Sequence, residues 1–95
     1  MTEQEIYQQI ISIVKKYNVS KVVLFGSRAR KTNMPKSDID LAIYGCVDFD
    51  ELCFDLEENV ETLLEFDIID MENINSSSEL IQEIQRDGVV LYEKI

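Results

Sequence analysis

Two strand-like segments that flank a polar stretch of chain constrain the fold of this sequence most. Residues 21–25 read KVVLF, a short run rich in β-branched side chains that ends at Gly26, which is typical of a buried strand. Residues 38–44 read DIDLAIY, and their alternation places Asp38 and Asp40 on one face of a strand and apolar residues on the other. The residues with the strongest chemical signal lie in these two strands and in the loop that joins them.

Helical and strand-like patterns alternate along the rest of the chain. Thr2 and Glu5 have the spacing of a capping box, and the apolar residues after them predict an amphipathic helix over residues 3–17. Asp48 and Glu51 predict the capped start of another helix, whose acidic residues, Asp55 among them, are expected to face away from its apolar stripe. That stripe consists of Phe49, Leu52, Cys53, Leu56, Val60, Leu63 and Leu64.

The last third of the sequence adds two strands and a helix. Residues 66–71 (FDIIDM) predict a strand with Asp67 on one face and Asp70 on the other. Ser76 predicts the cap of a short helix that ends at Gly88, and residues 89–93 (VVLYE) predict a final strand. The predicted order is α-β-β-α-β-α-β, an α+β fold, and the length predicts a single domain over residues 1–95.

The composition excludes several classes of protein. The chain has no histidine, which excludes Ser-His-Asp triads and HExxH metalloproteases, and Cys46 and Cys53 lack the CxxC spacing of zinc or redox sites. No apolar run reaches the roughly 20 residues of a membrane span, and the acidic N-terminus does not resemble a signal peptide. These features predict a cytoplasmic protein without a membrane partner.

The net charge of −10 is unevenly distributed. Residues 1–45 carry seven bases and four acids, net +3, whereas residues 46–95 carry two bases and fifteen acids, net −13. Five of the bases and none of the acids lie between Lys21 and Ser37, immediately before Asp38. This pattern predicts an anion site beside a cation site, while the overall charge disfavours nucleic acid as a partner.

Two readings of these residues stay open from their chemistry alone. The backbone at Gly26 and the hydroxyl of Ser27 suit a phosphate, although a glycine ends many strands only for turn geometry. Asp38 and Asp40 lie about 7 Å apart along one strand face, where oxygen ligands favour Mg²⁺ or Mn²⁺. Two hydrated surface acids would give the same pattern.

The combined motif FGSRARKTNMPKSDIDLAIYG resembles the signature of the nucleotidyltransferase superfamily that shares its catalytic core with DNA polymerase β. It looks most like the minimal nucleotidyltransferases, small proteins often paired with a HEPN-domain partner in toxin-antitoxin modules. The resemblance implies the polymerase β palm-like fold, a small mixed sheet with helices packed on it. One departure is Lys31, which stands where the family usually has glycine.

The resemblance also implies roles for five residues. Gly26 and Ser27 would bind the nucleotide, and Asp38, Asp40 and Asp67 would form the catalytic metal site, with Asp67 also able to activate the acceptor hydroxyl. Arg28 lies just after the serine, within reach of a triphosphate, and is predicted to bind the nucleotide as well, although a solvated side chain or a pair with the acidic helix would suit it equally. The implied cofactor is Mg²⁺ in a two-metal site, with Mn²⁺ as an alternative, and the implied nucleotide substrate is ATP. By strand period, Asp70 faces away and is interpreted as a solvated or capping acid.

Two functions follow from this resemblance. The first is transfer of AMP from Mg-ATP to a hydroxyl, with a tyrosine of a HEPN toxin as the expected acceptor, so that the protein acts as an antitoxin by AMPylation. The second is a non-catalytic antitoxin that neutralises its partner by occlusion. The complete set of three aspartates favours the first function, and homo-oligomerisation stays open.

Overall fold

The computed structural model of the protein describes residues 2–74 and 79–94. Helices and strands alternate along these residues, and the predicted Ser76 cap lies outside them. Among the helices described, none is long and apolar enough to cross a membrane. The elements are α1 (Glu3–Val14), β1 (Lys21–Phe25), α2 (Gly26–Arg30), β2 (Ile39–Tyr44), α3 (Phe49–Asn59), β3 (Phe66–Asp70), α4 (Glu79–Asp87) and β4 (Val89–Glu93).

The strands form one mixed sheet in the order β3-β2-β1-β4. β1 is antiparallel to both β2 and β4, whereas β2 and β3 are parallel and are joined through α3. The predicted α+β fold with helices on a small mixed sheet is confirmed. The parallel pair matters for function because it sets aspartates of two strands side by side at the same end of the sheet.

Each face of the sheet has its own apolar cluster. On one face, α1 and α3 cover the residues of β2 that alternate with the aspartates, and Ile39, Leu41 and Ile43 are at most 1% exposed. On the other face, Ile84 of α4 packs with Val23, Phe25 and Ala42. The residues of β2 therefore alternate between the two faces as predicted, and Asp40 lies on the α4 face opposite Phe25 of the smaller cluster.

The N-terminal helix begins as predicted. Thr2 accepts a hydrogen bond from the Glu5 backbone, and the Glu5 side chain accepts one from the Thr2 backbone, which completes the capping box. The α-helix ends at Val14, and residues Lys15–Tyr17 continue as a single 3-10 turn.

Three expectations for α3 are wrong. The predicted apolar stripe extends to Leu64, but the helix ends at Asn59 and Leu63 is fully exposed. Asp48 stands at the N-cap position but its side chain makes no capping hydrogen bond. Asp55 is buried rather than facing solvent, because Tyr17 Oη and Asn59 Nδ2 each donate to its carboxylate at 2.7 Å and Lys16 Nζ lies 3.1 Å away. The hydrogen bond from Tyr17 comes first among the interactions that lower the pKa of Asp55.

The sequence pattern also missed a helix. The segment predicted as a loop begins with α2, a single five-residue helix that follows β1 without a linker. Lys31 ends this helix with φ of +61°, a left-handed conformation that glycine adopts without strain. The position where the family usually has glycine therefore keeps the backbone geometry of glycine in this chain, with a lysine in place.

Candidate active site

The three predicted aspartates lie together at one end of the sheet. Asp40 of β2 and Asp67 of β3 are directly opposite each other in the parallel register, and neighbouring strands are about 4.8 Å apart. Asp38 precedes Asp40 by two residues, which places it on the same face just before β2 begins. Asp38 and Asp67 are exposed and Asp40 is half-buried, so the group opens to solvent.

The carboxylate of Asp40 is strongly perturbed. Burial and the neighbouring charges of Asp67 and Asp38 raise the pKa of Asp40 to about 6. Like charges at this spacing repel one another, and a bound cation would relieve that repulsion. Perturbation of this kind, caused by burial together with specific charge partners, is typical of functional sites.

Gly26 brings the end of β1 against this carboxylate. Its φ is +72°, and a Cβ at this position would lie only 2.1 Å from Asp40 Oδ2. Both the left-handed backbone and the close approach therefore require glycine here. The turn formed by Gly26 and Ser27, predicted to bind phosphate, consequently lies next to the central predicted metal ligand.

A second group of charges borders the aspartates. Arg30 of α2 lies 3.4 Å from Glu83 Oε2 and 3.8 Å from Asp87 Oδ2 of α4. Glu83 raises the pKa of Asp40 and Arg30 lowers it, so this network influences the site. Arg30 and Glu83 are 53 residues apart, and no spacing in the sequence indicated that they would meet.

The structure places Arg28 differently from the other five predicted residues. Its side chain is 5% exposed and points into the protein, where it donates to backbone carbonyls of Pro35 and Ser37 and pairs with Glu3. In this conformation, these acceptors take up hydrogen bonds from Nε, Nη1 and Nη2 of the guanidinium. Nucleotide binding by Arg28 stays a prediction.

Asp70 behaves as expected from its place on β3. Its carboxylate accepts hydrogen bonds from the Glu72 backbone at 3.1 Å and from the Asn73 side chain at 2.6 Å. These contacts stabilise the turn after β3. The interpretation of Asp70 as a capping acid is confirmed.

The donor set of the aspartates suits a metal that is shared with a nucleotide. Within residues 2–74 and 79–94, no three acidic or cysteine side chains converge closely enough to hold a metal ion by themselves. Magnesium typically takes only one or two protein carboxylates and completes its shell with water and substrate phosphates. Paired oxygen donors beside a glycine turn therefore fit a magnesium-nucleotide complex better than a bare ion.

A small mixed sheet that carries paired aspartates beside a Gly-Ser turn is the arrangement that the sequence motif predicted for a nucleotidyltransferase. The family profile "Polymerase beta, Nucleotidyltransferase" matches residues 8–95, and the chain belongs to this family. A relative from Methanocaldococcus jannaschii, named protein adenylyltransferase, is 41% identical over 59 residues. That match covers 56% of this chain and 59% of the relative, so this chain matches less than two thirds of the relative's length.

Solved structures agree on the fold. A chain of a toxin-antitoxin complex crystallised with AMP-PNP has a TM-score of 0.71 and 22% identity, over 93% of this chain and 73% of that one. A chain from the complex of a tri-AMPylated Shewanella oneidensis HEPN toxin with an MNT antitoxin has a TM-score of 0.69 and 20% identity, over 98% and 74% of the two chains. The fold expected from the sequence motif is thus confirmed.

Proposed function

We propose that this protein transfers AMP from ATP to a hydroxyl group, and that the acceptor is a tyrosine of a HEPN-domain toxin. The observation that supports this proposal most strongly is the register of Asp40 against Asp67 on parallel strands, directly beside Gly26. Family membership supports the reaction class. The name of the Methanocaldococcus jannaschii relative supports a protein acceptor.

In the proposed reaction, the acceptor oxygen forms a bond to the α-phosphorus of ATP while the bond from that phosphorus to the β-phosphate bridging oxygen breaks. Pyrophosphate leaves, and the acceptor proton passes to Asp67 or to water. Gly26 and Ser27 would hold the phosphates, and this transfer needs alignment and charge neutralisation rather than a covalent protein nucleophile. A chain without histidine can supply both.

We assign Asp38, Asp40 and Asp67 as the residues that would hold Mg²⁺, which Mn²⁺ can replace. When bound, the metal supplies charge neutralisation at the phosphates and acidifies the acceptor hydroxyl. The carboxylates themselves place negative charge at one end of the sheet. This charge repels nucleotide phosphates that carry no metal. Productive nucleotide binding is therefore expected to require the divalent cation.

The choice of acceptor rests on the structural relatives. One is an MNT antitoxin in complex with a HEPN toxin that carries three AMP groups, and another belongs to a toxin-antitoxin complex with AMP-PNP. These resemblances support an antitoxin role through covalent modification for this chain. An ATP-dependent reaction also agrees with the cytoplasmic location expected from the sequence.

Labelled ATP tests the reaction class. A HEPN-domain protein from the same genome is incubated with this chain, Mg²⁺ and ATP that carries radioactive phosphorus at either the α or the γ position. Nucleotidyl transfer labels the acceptor only from the α position, whereas phosphoryl transfer labels it only from the γ position. A variant with Asp38, Asp40 and Asp67 all changed to asparagine is the control and should give no label.

A further inference from the structure

Arg28 joins three parts of the chain that meet next to the site. Its Nε and Nη2 donate to the carbonyl of Ser37 at 3.1 and 2.8 Å, and Nη2 also donates to the carbonyl of Pro35 at 3.2 Å. Its Nη1 pairs with Glu3 Oε2 of α1 at 2.6 Å. The Arg28 side chain is 5% exposed, so the guanidinium itself is largely shielded from competing water, whereas the Glu3 side chain is 40% exposed.

The two bonds to Ser37 act on the residue that follows it. The carbonyl of Ser37 belongs to the peptide bond that joins Ser37 to Asp38, so holding this oxygen fixes the peptide plane from which Asp38 projects. On the other side, Arg28 lies in α2 directly after Gly26 and Ser27. One planar guanidinium therefore connects the predicted phosphate-binding turn to the predicted metal ligand.

We propose that Arg28 is a positioning residue that sets Asp38 relative to the Gly26-Ser27 turn, so that binding of the metal-nucleotide complex depends on Arg28 without contact between Arg28 and the nucleotide. This inference rests on the proposed function, which assigns the metal to Asp38. Glu3 completes the arrangement by neutralising the buried guanidinium and fixing its orientation. Lysine would keep the charge but lose the two-pronged contact with Ser37.

Binding of Mn²⁺, followed by its electron paramagnetic resonance signal in the presence of AMP-PNP, tests this proposal without any transfer reaction. For Arg28→Lys we expect Mn²⁺ affinity to fall about 10- to 100-fold, the usual cost of losing a residue that orients a metal ligand. AMP-PNP without metal should bind only weakly, because the carboxylates repel its bare phosphates, and this weak affinity should be the same in the variant and the unaltered protein. Lys16→Arg, which exchanges one base for another in a pair with Asp55 outside the site, is the control and should leave both affinities unchanged.

Glu3→Gln provides a second variant in case Arg28→Lys does not fold. It keeps a hydrogen-bond acceptor near Arg28, and we expect a smaller loss of Mn²⁺ affinity in the same direction. Undiminished Mn²⁺ binding in a folded Arg28→Lys protein would overturn the inference. Weaker binding of metal-free AMP-PNP would also overturn it, because that result indicates direct contact with phosphate. If the unaltered protein binds no Mn²⁺ with AMP-PNP, the proposed function itself fails.

Discussion

Substitution of two glycines of this chain can separate a loss of stability from a loss of function. Gly26 and Gly45 have φ of +72° and +68°, and an added Cβ would lie 2.1 Å from Asp40 Oδ2 in one case and 2.2 Å from Ser20 Oγ in the other. The backbone conformation and the type of clash are nearly the same. The two positions differ because the displaced oxygen at Gly26 belongs to the central carboxylate of the site, whereas Ser20 lies at the other end of the β1-β2 pair.

We therefore expect Gly26→Ala and Gly45→Ala to destabilise the fold by similar amounts. Placing an L-residue in the left-handed region costs about 1–2 kcal/mol. For a domain of this size, that cost corresponds to a fall in Tm of about 4–16 °C. Only Gly26→Ala should also abolish function, since its methyl group must push the Asp40 carboxylate out of place. Loss of one aligned charged ligand should lower transfer at least about 100-fold, equivalent to roughly 2.7 kcal/mol in the transition state.

Thermal melts and calorimetric titration of AMP-PNP with Mg²⁺ provide the assay, performed on both variants at a temperature where each is folded. The expected result is a comparable loss of Tm in the two proteins and a loss of metal-dependent nucleotide binding only in Gly26→Ala. If Gly26→Ala bound the complex as tightly as Gly45→Ala, the close contact between Gly26 and Asp40 would have no functional meaning. The reasoning from geometry to site would then be refuted.

Five other substitutions test separate parts of the account. Ser27→Ala should weaken AMP-PNP binding about fivefold in calorimetry, because one hydrogen bond contributes about 1 kcal/mol; unchanged affinity would make this strand end an ordinary turn. Asp67→Asn should leave ATP binding largely intact and lower transfer about 100-fold or more, since it acts on the transition state. Asp70→Asn, on the same strand but the opposite face, should leave transfer unchanged, and equal effects of both variants would contradict these assignments. The pKa of Asp55 is lowered in the folded protein, so its carboxylate stabilises the fold at neutral pH and that stabilisation is lost as the pH falls below about 4. Melts of the unaltered protein and Asp55→Asn should therefore differ more at neutral than at acidic pH, and a constant difference would argue against this linkage. Lys31→Gly should raise Tm by relieving about 1 kcal/mol of left-handed strain, whereas a lower Tm would show that the lysine side chain stabilises this turn.

The elements that the sequence predicted well are those specified by local patterns. The alternation in residues 38–44 placed Asp38 and Asp40 on one face, and the capping box of α1 forms as its spacing indicated. Strand period likewise separated Asp67 from Asp70. These features depend on backbone periodicity, which is visible in the sequence without knowledge of which helices and strands pack together.

Features that depend on contacts between distant segments were missed. Burial of Asp55 requires Tyr17, which lies 38 residues earlier in the chain. The inward direction of Arg28 requires Glu3, 25 residues earlier, and the carbonyl of Ser37. The helix α2 escaped detection for a different reason, because its five residues are too few to show helical periodicity.

The most direct test of AMP transfer is the intact mass of a HEPN-domain protein from the same genome after incubation with this chain, Mg²⁺ and ATP. We expect the acceptor to gain the mass of one or more AMP groups on a tyrosine. No gain should occur when Asp38, Asp40 and Asp67 are all asparagine. If the HEPN protein keeps its original mass and is neutralised equally by both versions of this chain, the protein acts by occlusion, and the proposed AMP transfer is contradicted.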